Sequence, residues 1–561
     1  MDWVQVYDPL GSPVWSTILA GLPIVVLLGL LTGGIAAPKS ALAGLLTALG
    51  VAILGFGMPA SAAGAAALYG AAFGLLPIGW IVLAAVFLFH LTVQTGQFEI
   101  VKRSVAALSP DRRIQALLIA FCFGTFIEGA AGFGTPVAIC AALLIGLGFS
   151  PLYAAGLALI ANTSPVAFGA LGTPIITLAK ISGLDEMALC RMAGRQLPLF
   201  SLIVPAWLVA VMAGWRGVVG CWPAVVVCGG TFALLQFLTA NFHGPGLVDV
   251  VGGLGSLVAL ALLLRFWQPR EIWRFPDEAP TAEAAIQPAL PFRQIAYAWM
   301  PWVFLSLLVF AWGWPDVKAA LNGGPAKEPN FLSGSSRFAV PIAGLHERVY
   351  RTATVAPVPE GADRAAEAEK AIFEIPWLAA TGTGIFVAAI LSAVWLRIGL
   401  VEFFRQFGRT LSDMRWALFT IACMLALAFT TKYSGADATL GLAFTHTGWL
   451  YPFFAPLLGW LGVALTGSDT SSNALFGNLQ RITAEQLQLN PVLIVASNST
   501  GRVMGKMIDA QSIVVAAVAT GQKGTEGRIL RFVFLHSVGL AALVGLLTLA
   551  QAYLFAWMIP G

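Results

Sequence analysis

Charge is what this 561-residue sequence has least of. Asp, Glu, Lys and Arg make up 10% of it, against 58% apolar residues. Soluble globular domains carry roughly 25% charged residues, so a water-facing surface cannot be assembled from this composition. The net charge is only +4, too weak to argue for a nucleic-acid partner. Cysteine is sparse as well. Cys122, Cys140, Cys190, Cys221, Cys228 and Cys423 stand without metal-type spacing, mostly inside apolar stretches, and read as inert packing residues. Ahead of the first apolar run there are Asp2 and Asp8 but no Lys or Arg. The positive region of a cleaved signal is therefore missing, and the first span is expected to stay in the mature chain. Enzyme signatures are missing too: there is no HExxH, no paired-cysteine pattern and no nucleophile elbow. GRVMGKM around Lys506 makes a poor phosphate loop, because its glycine spacing is one residue short and no Ser or Thr follows the lysine. No nucleotide-binding domain is present and no cofactor is implied, so ATP coupling would need a separate subunit.

What the sequence has in abundance is long apolar runs, with 60 glycines and 18 tryptophans among them. Glycine lets membrane helices approach closely, and indoles favour the headgroup layer. A spanning helix needs about 20 mostly apolar residues. Runs that reach or approach that length extend from residues 14–31 to 530–559. Several are too long for one straight helix and are interrupted by Gly, Pro, Asn and Ser. The expectation is an all-α polytopic membrane protein with roughly 12 to 14 transmembrane helices, several of them broken, in two weakly related halves. The first half covers residues 1–266, with broken segments near 128–136 and 162–174. Residues 267–294 form a cytoplasmic linker, 295–314 a transmembrane helix and 315–374 an extracytoplasmic loop. The second half is 375–561, with broken segments near 466–473 and 498–509.

Sidedness follows from the basic connections. Four Lys or Arg fall in each of three of them: Lys102, Arg103, Arg112 and Arg113; Arg265, Arg270, Arg274 and Arg293; Arg397, Arg405, Arg409 and Arg415. The positive-inside rule places such short loops in the cytoplasm. Two spans separate the second from the third, which satisfies parity and puts 315–374 outside; the first is harder to reconcile with them. Residues 361–373 of the external loop are expected to form a short amphipathic surface helix, and the loop as a whole to serve tethering or assembly.

The informative residues are polar groups stranded in apolar runs. An ionisable side chain at mid-membrane costs at least ~2.5 kcal/mol on insertion scales, so function is its default explanation. They gather in two stretches, one in each half. IEGAAGFGTP, residues 127–136, holds a single charge, Glu128, among Gly129, Gly132, Gly134 and Pro136. NTSPVAFGALGTP, residues 162–174, has the same character. In the second half TGSDTSSN, residues 466–473, carries Asp469 among hydroxyls. NSTGRVMG, residues 498–505, can be laid over NTSPVAFG, residues 162–169. Both Asn162 and Asn498 satisfy the glycosylation pattern, but at membrane depth that reading is dismissed. Interrupted hydrophobic segments at corresponding places in two halves point to a transporter's binding site, where helix N-termini offer free N–H groups to an anion.

Asn498, Arg502, Lys506 and Asp509 follow at spacings of four, four and three, and share one face if the segment is helical. Asp509 alone cannot neutralise two cations. Either a small anionic substrate supplies the second negative charge, or Arg502 and Lys506 snorkel or pair with Glu128 or Asp469 across the bundle. In the first case Arg502 offers a carboxylate a planar two-bonded contact, and Lys506 a point charge. The candidate substrate-binding residues are thus Arg502, Lys506, Asn498, Asn162, Ser468 and Asn473. The candidate proton carriers are Glu128, Asp469 and Asp509, since burial suits a carboxyl to load and unload a proton. His90, His446 and His536 lie in or beside spans and read as packed or interfacial residues. No catalytic residue and no metal site is assigned.

GTFIEGAAGFGTPVAI, NTSPVAFGALGTPI, GWLGVALTGSDTSSNALFGNLQ and GKMIDAQSI resemble the signature regions of the bacterial L-lactate permease family. TGQFEI from Thr95, GRQLP from Gly194, RFWQP from Arg265, YDP from Tyr7 and AWMIP from Ala556 extend the resemblance almost end to end. It implies a multi-pass protein of the bacterial cytoplasmic (inner) membrane. Such a protein imports L-lactate, with D-lactate and glycolate as further substrates, together with a proton. The rival readings are an anion channel, a sodium-coupled carboxylate transporter and, further off, a membrane-embedded enzyme. Residues 315–374 resemble the family least, and nothing is transferred there.

Overall fold

A computed structural model describes residues 2–32, 35–130, 135–275, 290–324, 330–352, 368–369, 371–466, 469–522 and 526–560. Among them nine helices are long and apolar enough to cross a membrane. A tenth span is counted if Pro151–Ala161 and Val166–Ser182, bent by 60° at the break between them, are taken together. Pro13–Leu27, Pro136–Gly146 and Thr381–Trp395 are shorter apolar helices. The long apolar runs of the sequence thus divide into full spans and pieces that stop short. The stops fall where Gly, Pro and Asn make the helix costly to continue. Outward faces are apolar, with Leu54 and Phe266 almost fully exposed and Trp15, Trp215, Trp222, Trp449 and Trp557 exposed as well, as lipid contact requires.

Two buried clusters hold the bundle together. One joins residues between Ile81 and Leu264 to the Thr381–Trp395 helix and to residues between Leu493 and Val544. The other joins residues between Ala20 and Ile78 to residues between Ile421 and Leu479. The two halves of the sequence therefore interleave. Glycine makes the tightest seams possible. A Cβ at Gly253 would come within 2.6 Å of the Phe126 backbone nitrogen, and one at Gly505 within 2.5 Å of the Trp460 carbonyl. Gly501 presses in the same way on the Pro456 carbonyl, so Gly501 and Gly505 form a small-residue seam against the Tyr451–Thr466 helix. The glycines of GRVMG are packing elements.

All three basic connections lie on one face, including the one that parity could not place. Arg113 Nη2 donates to the Glu271 carbonyl at 2.9 Å, and Asp111 Oδ2 accepts from the Trp273 amide at 2.9 Å. Gln94 Nε2 donates to Glu402 Oε1 at 2.6 Å and His90 Nδ1 lies 2.9 Å from Thr410 Oγ1. These contacts tie the first connection to the second and to the third. The Leu400–Ser434 helix, at about 1.5 Å per residue, is far longer than a ~30 Å hydrocarbon core, and its Glu402–Arg405 end belongs to this face.

On the opposite face Trp3–Val4 pairs in parallel with Val349–Tyr350, and Phe338–Pro341 pairs antiparallel with Ile372–Ile375. Where the sequence suggested an amphipathic helix over 361–373, the described part is extended. The alternation Ile-Phe-Glu-Ile gives Ile372–Ile375 a strand period, and its partner strand satisfies the backbone. Residues 361–367 and 370 lie outside the described set.

Candidate functional site

Two helix breaks among the described residues, at 162–168 and 506–509, lie with the helices of Glu128 and Asp469 about the stranded polar groups. Glu128 lies on the Gly124–Ala130 helix, and a further helix runs over Thr135–Gly146. The Pro151–Ala161 helix stops at Asn162. The chain then turns through Val166–Phe168 and three left-handed residues, Ala170 (φ 45°), Leu171 (φ 57°) and Gly172 (φ 79°), before it resumes as helix. Two consecutive non-glycine residues with positive φ are costly, of order 1–3 kcal/mol each, and this strain sits in the wall of the site. In the second half, Asp469 lies on the Asp469–Gln486 helix. The Pro491–Gly505 helix runs unbroken through Asn498 and Arg502, tightens at Lys506–Ile508, and becomes extended at Asp509.

Arg502 is fully buried. Its Nε lies 3.4 Å from Asp469 Oδ1, and its Nη2 donates to Ser499 Oγ at 3.0 Å. Among the described residues neither Nε nor Nη1 completes a hydrogen bond, nor does Asp469 Oδ1. The second negative charge that the sequence left open between a substrate and a cross-bundle acid is thus supplied by Asp469. The pair is long and leaves half of the guanidinium fork unused. Lys506 Nζ lies 3.2 Å from Asp509 Oδ2, while Asp509 Oδ1 accepts from the Ser512 backbone amide at 2.7 Å and so caps the Ala510–Ala519 helix.

Glu128 completes the cluster: Lys506, Asp469, Asp509 and Asn162 all lie within its electrostatic reach. Gly169 admits its carboxylate, since a Cβ there would fall 2.5 Å from Glu128 Oε1. Glu128 Oε2 and both side-chain polar atoms of Asn162 are buried with no hydrogen-bond partner among the described residues. So are Thr125 Oγ1 and both carboxylate oxygens of Asp249. Asp249, 1% exposed, was not singled out from the sequence. It packs on the same helix turn as Glu128, because a Cβ at Gly129 would come within 2.7 Å of the Asp249 Cβ. The signal was present, an acid inside the apolar run 247–266, but an acid in the first turn of a helix reads as ordinary dipole complementation.

Asn498 and Asn473 are placed differently from Asn162. Asn498 Nδ2 donates to Asn473 Oδ1 at 2.9 Å, and its Oδ1 accepts from Gln480 Nε2 at 3.3 Å. Asn473 Nδ2 donates to the Pro174 carbonyl at 2.8 Å. These amides join the Asp469–Gln486 and Pro491–Gly505 helices to the broken segment of the first half. Ser468 lies outside the described residues. Of the histidines, His536 Nδ1 accepts from Trp207 Nε1 at 3.2 Å and His90 contacts Thr410. The six cysteines are free and buried.

Chemically, the cluster offers one buried guanidinium with open donor positions, one ammonium, and four acids beside an unengaged amide. Such a set can exchange an internal carboxylate for an external one at the guanidinium while a proton moves onto an acid.

Known proteins bear on which chemistry is selected. The chain is 46% identical to an L-lactate permease of Salmonella typhimurium, over the whole of both chains. It is 45% identical to the glycolate permease GlcA of Escherichia coli K12 and 44% identical to an L-lactate permease of Bacillus subtilis 168, again over the whole of both. The family model described as L-lactate permease matches residues 16–555. This multi-pass helical membrane protein is a member of the L-lactate permease family.

Proposed function

We propose that the protein imports L-lactate, and with it D-lactate and glycolate, across the bacterial cytoplasmic membrane by proton symport. Its relatives are named as lactate and glycolate permeases, and these substrates share a 2-hydroxycarboxylate. One observation carries the mechanism: Arg502 is fully buried, with Nε and Nη1 open among the described residues, facing an Asp469 oxygen that also lacks a hydrogen bond there. Protonation of Asp469 removes the guanidinium's internal counter-charge. A substrate carboxylate then takes that place with the two-bonded geometry that arginine favours. The site holds the same net charge empty and loaded, so the same reorientation is open to both states. An anion without the proton would leave an excess buried charge, which costs several kcal/mol.

Asn162, beside Glu128 and with both amide atoms open among the described residues, takes the 2-hydroxyl. Lys506 provides a second positive centre, with Asp509 fixing its position. Glu128 and Asp249 form a carboxyl pair behind the substrate through which the proton leaves. Asn498, Asn473 and Gln480 brace the breaks rather than touch substrate. Alternating access arises from motion of the two sets of broken helices against each other. The basic face is cytoplasmic by the positive-inside rule, and the face carrying 330–352 is external.

In proteoliposomes, lactate uptake should alkalinise the external medium and collapse on addition of a protonophore. Uptake that ignores the pH gradient and follows sodium would overturn the proton half of the mechanism. Flux without any fixed proton stoichiometry would favour a channel. Arg502→Gln should abolish lactate binding in a protein that still inserts and folds, and retained affinity would move the site elsewhere.

A further inference from the structure

A second polar cavity, of about 410 Å³, opens on the face opposite the basic connections. Lys180, Arg351, Lys432 and Arg481 line it with Tyr69 and Tyr433, and Glu369 is the one acid among its described lining residues. Arg351 is paired with Glu369. Arg481 gives one edge to Glu485, with Nη1 to Oε1 at 2.6 Å, while its Nε and Nη2 are buried with no partner among the described residues. Lys432 Nζ donates to the Ile181 carbonyl at 3.2 Å. Lys180 Nζ sits 5.7 Å from the Tyr69 ring centre and 5.4 Å from that of Phe73. Among the described residues neither lysine has a carboxylate within salt-bridge distance. Asp437, within reach of Lys432 and hydrogen-bonded by Asn478 at 3.2 Å, offsets part of the charge. Among the described residues the cavity lining carries four cations, Lys180, Arg351, Lys432 and Arg481, to one acid, Glu369, with Nε and Nη2 of Arg481 open in a partly enclosed space.

Its position relative to the central site is fixed by shared helices. Arg481 lies on the helix that starts at Asp469, about 18 Å further along at 1.5 Å per residue. Lys180 lies on the Gly169–Ser182 helix that carries the strained break. The two helices are held together by the Asn473 to Pro174 hydrogen bond and by Gly477, whose absent side chain leaves room for Leu178 and Ile181. The cavity is thus the outer end of the same pair of helices whose inner ends form the site of Arg502.

We propose that this cavity is an outer capture site for a small carboxylate, in which Lys180, Lys432 and the open edge of Arg481 hold the anion before it moves inward to Arg502. The proposal rests on the transport reading above. Arg481, about 18 Å along its helix from Asp469, is too far to touch a carboxylate held at Arg502. The charges of the cavity therefore act on capture and on-rate rather than on affinity at the centre, as cavities of one sign do.

The test uses the full chain in right-side-out proteoliposomes, with Lys432→Gln and Arg481→Gln compared with Lys432→Arg and Arg481→Lys. Lactate uptake is measured against concentration at low and at high salt. The Gln variants should raise KM by about five- to tenfold at low salt with kcat unchanged, and should flatten its salt dependence, whereas the charge-preserving variants should behave as the parent protein does. A KM and salt dependence equal to the parent's in both Gln variants would overturn the proposal. So would an effect that appears only with phosphatidylglycerol present and vanishes in pure phosphatidylcholine, since the cavity would then be holding a lipid headgroup. Loss of the Arg502→Gln phenotype would instead remove the central site, so the two failures can be told apart.

Discussion

Replacing Asp469 by Asn tests the exchange at Arg502 most directly. At 3.4 Å and an effective dielectric near 20, the Coulomb attraction between the two charges is about 5 kcal/mol before desolvation is subtracted. A substrate carboxylate competing with ionised Asp469 has to overcome most of that, so binding is confined to the fraction of molecules in which Asp469 carries a proton. The sign follows. On the alkaline side of the Asp469 titration the competent fraction falls tenfold per pH unit, and apparent affinity falls with it. Asp469→Asn cannot ionise, so its affinity should change less than about twofold from about pH 6 to 9 and exceed the parent's at the alkaline end. It should also catalyse lactate–lactate exchange while losing uphill uptake driven by a pH gradient. Binding of labelled lactate to the purified protein across that pH range, beside counterflow in vesicles, gives both readouts. A variant that keeps the steep pH dependence would show that the coupling proton sits on another acid, with Glu128 and Asp249 next in line. A folded variant that binds nothing at any pH would refute the exchange itself.

Gly169→Ala places a methyl 2.5 Å from Glu128 Oε1 and 3.2 Å from its Cγ and Cδ. Overpacking of about 1–3 kcal/mol should push Glu128 aside and cut uptake per molecule far more than membrane abundance. Gly501→Ala sets a methyl against the Pro456 carbonyl and ring, so the helices must part and the thermal unfolding midpoint should fall. Gly230→Ala, with nothing within 4 Å of the added atom, should change neither. Arg113→Ala strands a buried Asp111 whose Oδ2 was held by Arg113 Nη2 at 2.7 Å, and should cost about 3–5 kcal/mol in unfolding experiments while leaving lactate affinity unchanged in the protein that folds.

The apolar runs announced a polytopic helical protein because hydrocarbon leaves the backbone no other partner than itself. Their division into spans was less legible. The Leu117–Phe123 segment is a π-helix within a continuous span, whereas Asn162, in a run of similar hydropathy, ends one. Composition alone does not separate these outcomes. Nor did it reveal that residues 20–78 pack on 421–479, because helices apolar on every side carry no stripe that points to a partner. The first basic connection could not be placed by counting spans, and it took the contacts of Asp111 and Arg113 with the Glu271–Trp273 stretch to set it on the face of the other two.

The candidate site was legible in its charges because an ionisable group in hydrocarbon is costly to keep without use, and that logic singles out Glu128, Asp469, Arg502, Lys506 and Asp509, all of them buried. It failed where residue type does not distinguish binding from bracing. Asn162 and Asn498 were laid over each other as equivalent, each followed by hydroxyls and a glycine. Yet Asn162 ends a helix with its amide unengaged, and Asn498 sits inside one with both of its polar atoms taken by Asn473 and Gln480. A buried amide costs free energy unless it is paired. The paired one is explained by the fold, whereas the amide of Asn162, beside Glu128, completes no hydrogen bond among the described residues. The same distinction separates Asp249 from Asp111, two acids buried alike. Asp111 is consumed by the Arg113 side chain and three backbone amides, whereas Asp249 is met by no donor among the described residues. Groups that protein partners already satisfy are bound to be poor sensors of substrate or proton. The polar atoms left over once the fold has been satisfied include, among the described residues, those of Glu128, Asn162, Asp249, Asp469 and Arg502, and it is on these that the proposed site is built.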